Sequence, residues 1–348
     1  MYKFKVITYK LLFNILLRLP DFFYSFLFAI AFPVYKALHT ERAYGRVVRH
    51  LDAARGYLAA QDEGCAPGLN CASGLNGAAS GLNCARVLNS APFILNCAGP
   101  LQKVTARDMF RGIFWNALDS YRGLARFKSV ERRIVFENEG IIKDAVAECA
   151  KKGAPIAGIS IHQGSFELMH RVLCRYSEHV HLITDSVGDA AFRDVLAELR
   201  SDPHLTEYHP EETGRLIREL FRTKGILAMV YDQGKNTKGN TVELFGRQTT
   251  LYLRLIEKIN RMGAGIVTFR TWTEMHGSPS RDSKYPEGSI VIRFENYYPP
   301  KYDETVASKD ASQAGESALV KDIARETERW IAEHPDQWSW NYHQNFVV

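Results

Sequence analysis

Two hydrophobic periodicities alternate along this chain. Between residues 103 and 152 apolar positions return every three or four residues, which predicts amphipathic helices over residues 109–124 and 137–151. Residues 155–161 (PIAGISI) form a short unbroken apolar run instead, as expected of a strand buried on both faces and ending at His162. Helical spacing resumes over residues 165–175, with Ser165 placed to cap the first turn. Strands are expected at 180–184 and 225–231 (GILAMVY), and again at 265–271 and 289–297 around a polar hairpin at 276–288. Helices are expected at 190–200, 213–223, 250–262 and from about 316 to 333. The polar stretch that follows Tyr231 reads as a loop. Helices alternating with short buried strands predict an α/β sandwich.

The first 50 residues break this rhythm. Residues 11–35 read LLFNILLRLPDFFYSFLFAIAFPVY, rich in Leu and Phe and interrupted by Arg18, Pro20 and Asp21. The longest charge-free run, residues 22–35, has 14 residues, short of the ~20 that a clean transmembrane helix needs. An aromatic apolar stretch flanked by Lys and Arg predicts a membrane-associating segment that touches or enters an anionic leaflet. Two other readings stay open. One is a signal peptide ending at Ala29-Ile30-Ala31, which Arg18 and Asp21 fit badly; the other is a buried pair of first helices.

Charge sharpens the contrast. The whole chain of 348 residues carries a formal +5, yet residues 1–50 hold eight Lys or Arg against Asp21 and Glu41, so the remainder is close to neutral at −1. With 46% hydrophobic and 24% charged residues, the composition excludes a collagen, a wholly disordered chain and a polytopic membrane protein. Residues 65–100 are foreign to their surroundings: Leu-Asn recurs at 69, 75, 82, 88 and 95, and the unit is 13 residues, CASGLNGAASGLN followed by CARVLNSAPFILN. Four of the six cysteines (Cys65, Cys71, Cys84, Cys97) ride on this repeat without the close pairing of a zinc site. It reads as a flexible insertion without chemistry. Cys149 and Cys174 lie in helical surroundings and need no disulfide, which fits a reducing compartment. The expected division is therefore a basic apolar segment at 1–50, the insertion at 65–100 and one catalytic body at 103–348.

Three blocks could carry chemistry. In His162-Gln-Gly-Ser-Phe-Glu167 a histidine stands at the carboxyl end of a buried strand, where open α/β sheets place their sites. Such a histidine can take a proton from a substrate hydroxyl when an acceptor holds its other ring nitrogen, and Glu167, in the next helix's first turn, is the expected partner. The second block runs from Asp232-Gln233 at a strand end to Val242-Glu-Leu-Phe-Gly246; Asn240 replaces the lysine of a phosphate loop, which excludes that motif. The third, His334-Pro-Asp-Gln-Trp338-Ser-Trp340, concentrates aromatics near the C-terminus, and by itself predicts a segment docked on the core. Glu167-Leu-Met-His170 is an E-x-x-H, but a di-iron site needs two such motifs on helices plus further Glu, and the other E-x-x-H, Glu178-His-Val-His181, runs into the strand expected at 180–184.

Taken in order, H-x4-E, a strand ending in Asp-Gln with V-x-L-F-G ten residues on, and the Gln-Trp-x-Trp tail resemble the bacterial lipid A biosynthesis acyltransferases, the lauroyl/myristoyl enzymes of the lysophospholipid acyltransferase class. The resemblance covers roughly residues 105–346. It implies a mixed central sheet flanked by helices, and an enzyme at the cytoplasmic face of the bacterial inner membrane. Such an enzyme moves a fatty acyl chain from acyl carrier protein to a hydroxyl of a glycolipid, without a cofactor, metal or nucleic acid. The family's catalytic pair maps onto His162 and Glu167. Arg200, Asp232, Gln233, Gly246 and Arg247 stand where substrate contacts are expected, and Lys224, Lys235 and Lys238 could meet acidic partners. After Gly246 this chain reads Arg247-Gln-Thr249-Thr250, without the family's usual Thr-Gly, and Tyr342-His343-Gln344 replaces His-Arg-Arg after the tail motif. The acceptor is left open between a lipid A precursor and another glycero- or pigment-type lipid. A non-enzymatic lipid-binding protein on the same frame is the alternative.

Overall fold

The computed structural model describes residues 2–39, 43–64, 99–184, 189–233, 238–275, 277–280, 284–302 and 317–340, the side chains of 61–64 excepted. The repeat at 65–98 and the end of the tail, 341–348, lie outside the described residues, as do parts of the 276–288 hairpin. The first helices are α1 (Tyr2–Leu16), α2 (Asp21–His39) and α3 (Gly45–Gly64). Next come α4 (Ala106–Ala125), α5 (Phe127–Glu131), β1 (Ile134–Glu137), α6 (Glu139–Lys152) and β2 (Ile156–Ser160). The middle of the chain supplies α7 (Met169–Leu173), β3 (Val180–Ile183), α8 (Ala190–Arg200), β4 (Leu205–Tyr208), α9 (Thr213–Thr223) and β5 (Ile226–Val230). The hairpin strands β6 (Asn240–Leu244) and β7 (Arg247–Leu251) follow, then α10 (Arg254–Arg261), β8 (Gly265–Thr273), β9 (Ile290–Tyr298) and α11 (Ala318–Glu333).

Among the described residues seven strands form one mixed sheet in the order β1-β9-β8-β2-β5-β3-β4, in which only β8 and β9 pair antiparallel. The unbroken apolar runs become its central strands because both faces are covered. Leu227, Met229 and Tyr231 point into one cluster with α3, α9, α10 and α11, while Ile226 and Ala228 point into the other with α6 and α7. The structure is thus the α/β sandwich with a mixed central sheet that the pattern and the resemblance predict.

Several elements differ from expectation for local reasons. The edge strands β1 and β4 are four residues each and only half-buried, so they lack the apolar runs that mark the central strands. Residues 240–251, expected as loop and helix, form a separate antiparallel hairpin; the alternation of Val242 and Leu244 with exposed Thr241 and Glu243 is its only sequence signal. Residues 165–175 open with a 3₁₀ turn, Phe166–Leu168, before α7, and the Ser165 hydroxyl faces Thr273 (3.4 Å) instead of capping a helix. Helix α3 crosses residue 50 and buries Val47, Leu51, Ala54 and Leu58 in the larger core cluster.

Helix α4 joins the N-terminal helices to the sheet. A capping box starts it: Thr105 Oγ1 accepts from the Asp108 N–H, and Asp108 accepts from the Thr105 N–H. Its buried stripe is small and polar (Gly112, Asn116, Asp119, Gly123) because it packs on loops. Gly112 meets the backbone of Asp336, Gly123 meets Leu168, and Asp119 accepts two hydrogen bonds of 2.9 Å from Arg133.

Buried histidines set an acid limit to this fold. Burial presses His170 and His181 down to about 4, and His334 well below its ordinary value. The unfolded chain protonates its histidines near 6.5, so the folded values are depressed; the stability they contribute is complete above 6.5 and is lost as pH falls toward 4. Thermal melts followed by circular dichroism should show Tm falling steadily from pH 6.5 to 4. A flat Tm over that window would contradict the assignment.

Candidate active site

The parallel register of β2 and β5 builds the site. Ser160 lies opposite Val230, and the Tyr231 N–H continues the ladder to the Ser160 carbonyl at 3.1 Å. One residue further, His162 and Asp232 emerge side by side at the carboxyl edge of the sheet. The Asp232 carboxylate accepts the His162 backbone N–H at both oxygens (3.0 and 3.2 Å), and its Oδ1 lies 2.6 Å from His162 Nδ1. The indole N–H of Trp338 donates to Asp232 Oδ2 at 2.9 Å. Because a carboxylate can only accept, Nδ1 carries the proton and Nε2 presents its lone pair. The His162 side chain is 20% exposed and that of Asp232 is fully buried, so the ring reaches solvent while its anchor does not. Phe166 packs its edge on the imidazole at 4.6 Å between centroids.

Glu167 takes a different place from the one its spacing suggested. Its carboxylate is held by Arg200, whose Nε and Nη2 donate at 2.7 to 3.0 Å, and the partner of His162 Nδ1 is Asp232. Burial pushes the Glu167 carboxyl up, but the Arg200 guanidinium outweighs that and holds it below the usual carboxylate range, with smaller help from His170 and His162. Glu207, 4.0 Å from Arg200, is raised, chiefly by burial. Arg200 ends α8, and Arg171 fixes that end: it donates to Asp202 (2.5 Å) and to the carbonyls of Ser201 and Leu199. His170 belongs to the same buried cluster. Among the described residues no group of three His, Cys, Asp or Glu is placed to hold a metal ion.

The aromatic tail is part of the same construction. Gln337 spans the Thr273 backbone, accepting its N–H and donating to its carbonyl, both at 2.7 Å. The Gly164 N–H donates to the Gln337 carbonyl at 3.1 Å, and Gln163 bridges to Trp338 across an isolated antiparallel pair. The Gln163 amide donates to the carbonyls of Trp330 (2.8 Å) and His334 (3.3 Å). Gly164 has φ +59°, and any Cβ there would strike the Thr271 carbonyl, so this turn requires glycine. These contacts lock the loop after His162 from three sides.

Of the other expected contacts, Gln233 follows Asp232 directly, and its buried Nε2 has no hydrogen-bond partner among the described residues. Gly246 and Arg247 lie at the β6–β7 turn. There Phe245 (φ 50°) packs on Trp340, and Gly246 (φ 68°) lies against the Tyr57 ring of α3. The Lys235 expectation falls outside the described residues. Trp338 and Gln337, which the spacing alone reads as core docking, hold the site, and Arg171, which holds the end of α8, carries no sequence signal. For the His162–Asp232 pairing a signal does exist: PIAGISI and GILAMVY are equal in length, and each is followed at once by the paired residue.

Compared with curated proteins, the chain finds no significant match. The family model for bacterial lipid A biosynthesis acyltransferase matches residues 123–346, well over half of the chain and all of the site described above. The chain belongs to the bacterial lipid A biosynthesis acyltransferase family and is an acyltransferase acting on lipid.

Proposed function

We propose that this acyltransferase moves a fatty acyl chain from an acyl carrier protein thioester to a hydroxyl of a glycolipid, such as a lipid A precursor, at the cytoplasmic face of the bacterial inner membrane. The observation that carries the reading is the 2.6 Å contact between His162 Nδ1 and Asp232, which leaves Nε2 free as a base at the sheet's carboxyl edge. His162 Nε2 removes the acceptor hydroxyl proton, and the oxygen attacks the thioester carbonyl carbon. Asp232 compensates the charge of the imidazolium. Collapse of the tetrahedral intermediate breaks the C–S bond, and the leaving thiolate takes the proton back from His162.

Glu167 works through Arg200. It fixes the guanidinium near the reacting groups, where Arg200 stabilises the oxyanion or a phosphate of the acceptor, and it adds negative charge near the His162 ring. The Gln233 Nε2, without a partner among the described residues, is a second donor for the thioester oxygen. Gly246 and Arg247 shape the hairpin over the tail, on the acceptor's side of the site.

Incubating the purified full chain with acyl–acyl carrier protein and a bacterial lipid extract tests donor and acceptor together. The expected result is release of the carrier thiol that depends on the extract, with the acyl label recovered in a lipid. Release that is equal without the extract, or no transfer at all, would count against the reading, and binding of lipid without transfer would favour a lipid-binding protein.

A further inference from the structure

Helix α2 is long and apolar enough to cross a membrane, yet its side chains divide it lengthwise. Phe22, Phe26, Ile30, Val34 and Leu38 recur every four residues and are exposed, Phe22 to 75% and Leu38 to 73%. Tyr24, Phe28 and Phe32, each about 200° around the helix from the exposed residue two before it, pack on α4 together with Tyr35. Tyr24 meets Phe114 and Trp115, Phe28 meets Phe114, and Phe32 and Tyr35 meet Phe110. Arg122 ties the start of α2 to α4: it donates to Asp21 (2.7 Å) and to the Leu19 carbonyl (2.8 Å), and its guanidinium covers the Tyr24 ring.

Helix α1 is divided in the same way. Phe4, Ile7, Leu11 and Ile15 form an exposed stripe. On the opposite side Tyr2 bonds Asp194, Lys5 and Tyr9 bond Asp189, and Phe13 stacks on Phe192, all against α8. Among the described residues, every strongly exposed large hydrophobic side chain except Tyr302 lies on these two helices.

From this arrangement we infer that α1 and α2 lie in the plane of one leaflet as a monotopic anchor and that α2 does not span the bilayer. The inference rests on the reading of the chain as a membrane enzyme. A spanning α2 would carry α4 into hydrocarbon along its length, together with Arg122 and the pair of buried Asp119 with half-buried Arg133, or else would lose all of its aromatic packing; charges at that depth are costly. Lying flat, each helix buries its apolar stripe and keeps its other side on the protein. The exposed cations Lys3, Arg18 and Arg126 border the anchor, so its occupant is the headgroup and upper acyl region of an anionic leaflet. The His162 loop and the tail pack on the far side of α4 through Leu168 and Gln337, which puts the site about one helix diameter (~10 Å) above the anchor helices.

Spin labels introduced one at a time at Phe22, Phe26, Ile30 and Val34 by an unnatural amino acid, in the full chain on phosphatidylethanolamine/phosphatidylglycerol vesicles, measure depth by power saturation. The in-plane anchor predicts nearly equal shallow depths at all four sites, about 5–10 Å below the headgroups. A spanning helix would change depth by ~1.5 Å per residue, roughly 18 Å from Phe22 to Val34, and that gradient would overturn the proposal, as would no partition into the vesicles. The same profile is expected of His162→Ala, so the anchor is tested separately from the chemistry.

Discussion

Replacing His162 with alanine is expected to lower acyl transfer by at least about 1,000-fold, the upper part of what general acid–base catalysis supplies. The substitution removes the group that, with Nδ1 committed to Asp232, offers a basic nitrogen at the sheet edge. Folding should be untouched. The ring is partly exposed, and Asp232 keeps the backbone N–H of residue 162 and the Trp338 indole as donors. Turnover of acyl–acyl carrier protein and a thermal melt, measured on the same preparation, check both halves. A near-native rate would remove His162 from the chemistry, and a collapsed Tm would make it a structural residue.

The second large effect is expected of Asp232→Asn. The substitution keeps the shape but places an amide beside His162 Nδ1. If the amide N–H donates to Nδ1, the ring proton must sit on Nε2, the nitrogen that has to accept the substrate's proton. A fall in kcat of about 100- to 10,000-fold follows, with little change in KM. Glu167→Gln separates the two carboxylates. Glu167 touches Arg200, so its loss weakens positioning, and its effect should be at least about tenfold smaller than that of Asp232→Asn. If Glu167→Gln were the more damaging, Glu167 would be the residue that serves the imidazole in the reacting complex.

The contrast between these carboxylates shows what the sequence could and could not yield. His162 was legible because an apolar run ends at it and a Gly-Ser turn follows. Glu167 was the nearest acid downstream and so the natural candidate for its partner. The partner in the fold is 70 residues away in the chain, because β2 and β5 are neighbours although β3 and β4 lie between them in sequence. Strand order is a property of packing and leaves no local trace. Once β2 and β5 are adjacent and in register, Asp232 has no other place to go.

The central strands and longer helices were legible for the same physical reason. Their burial on one or two faces imposes a period of 3.6 or an unbroken apolar run. The β6–β7 hairpin and the edge strands were not, since half-buried strands share their composition with loops. The tail motif reads as aromatic docking, and docking is what Trp340 does against Phe245 and Trp338. That the neighbouring Trp338 would reach Asp232 with its indole N–H could not be seen from spacing.

Charge followed a similar course. The whole-chain +5 concealed a basic, apolar first segment, and the structure gives that segment two sides, one fastened to α4 and α8 and the other bare.

Mass spectrometry of membrane lipids from cells carrying the wild-type gene, no gene, or the His162→Ala variant decides whether His162 serves acyl transfer to a glycolipid. One glycolipid is expected to be heavier by a single fatty acyl group in wild-type cells and to lack that group equally in the other two. Identical lipid profiles in all three, or a wild-type profile restored by His162→Ala, would contradict that role.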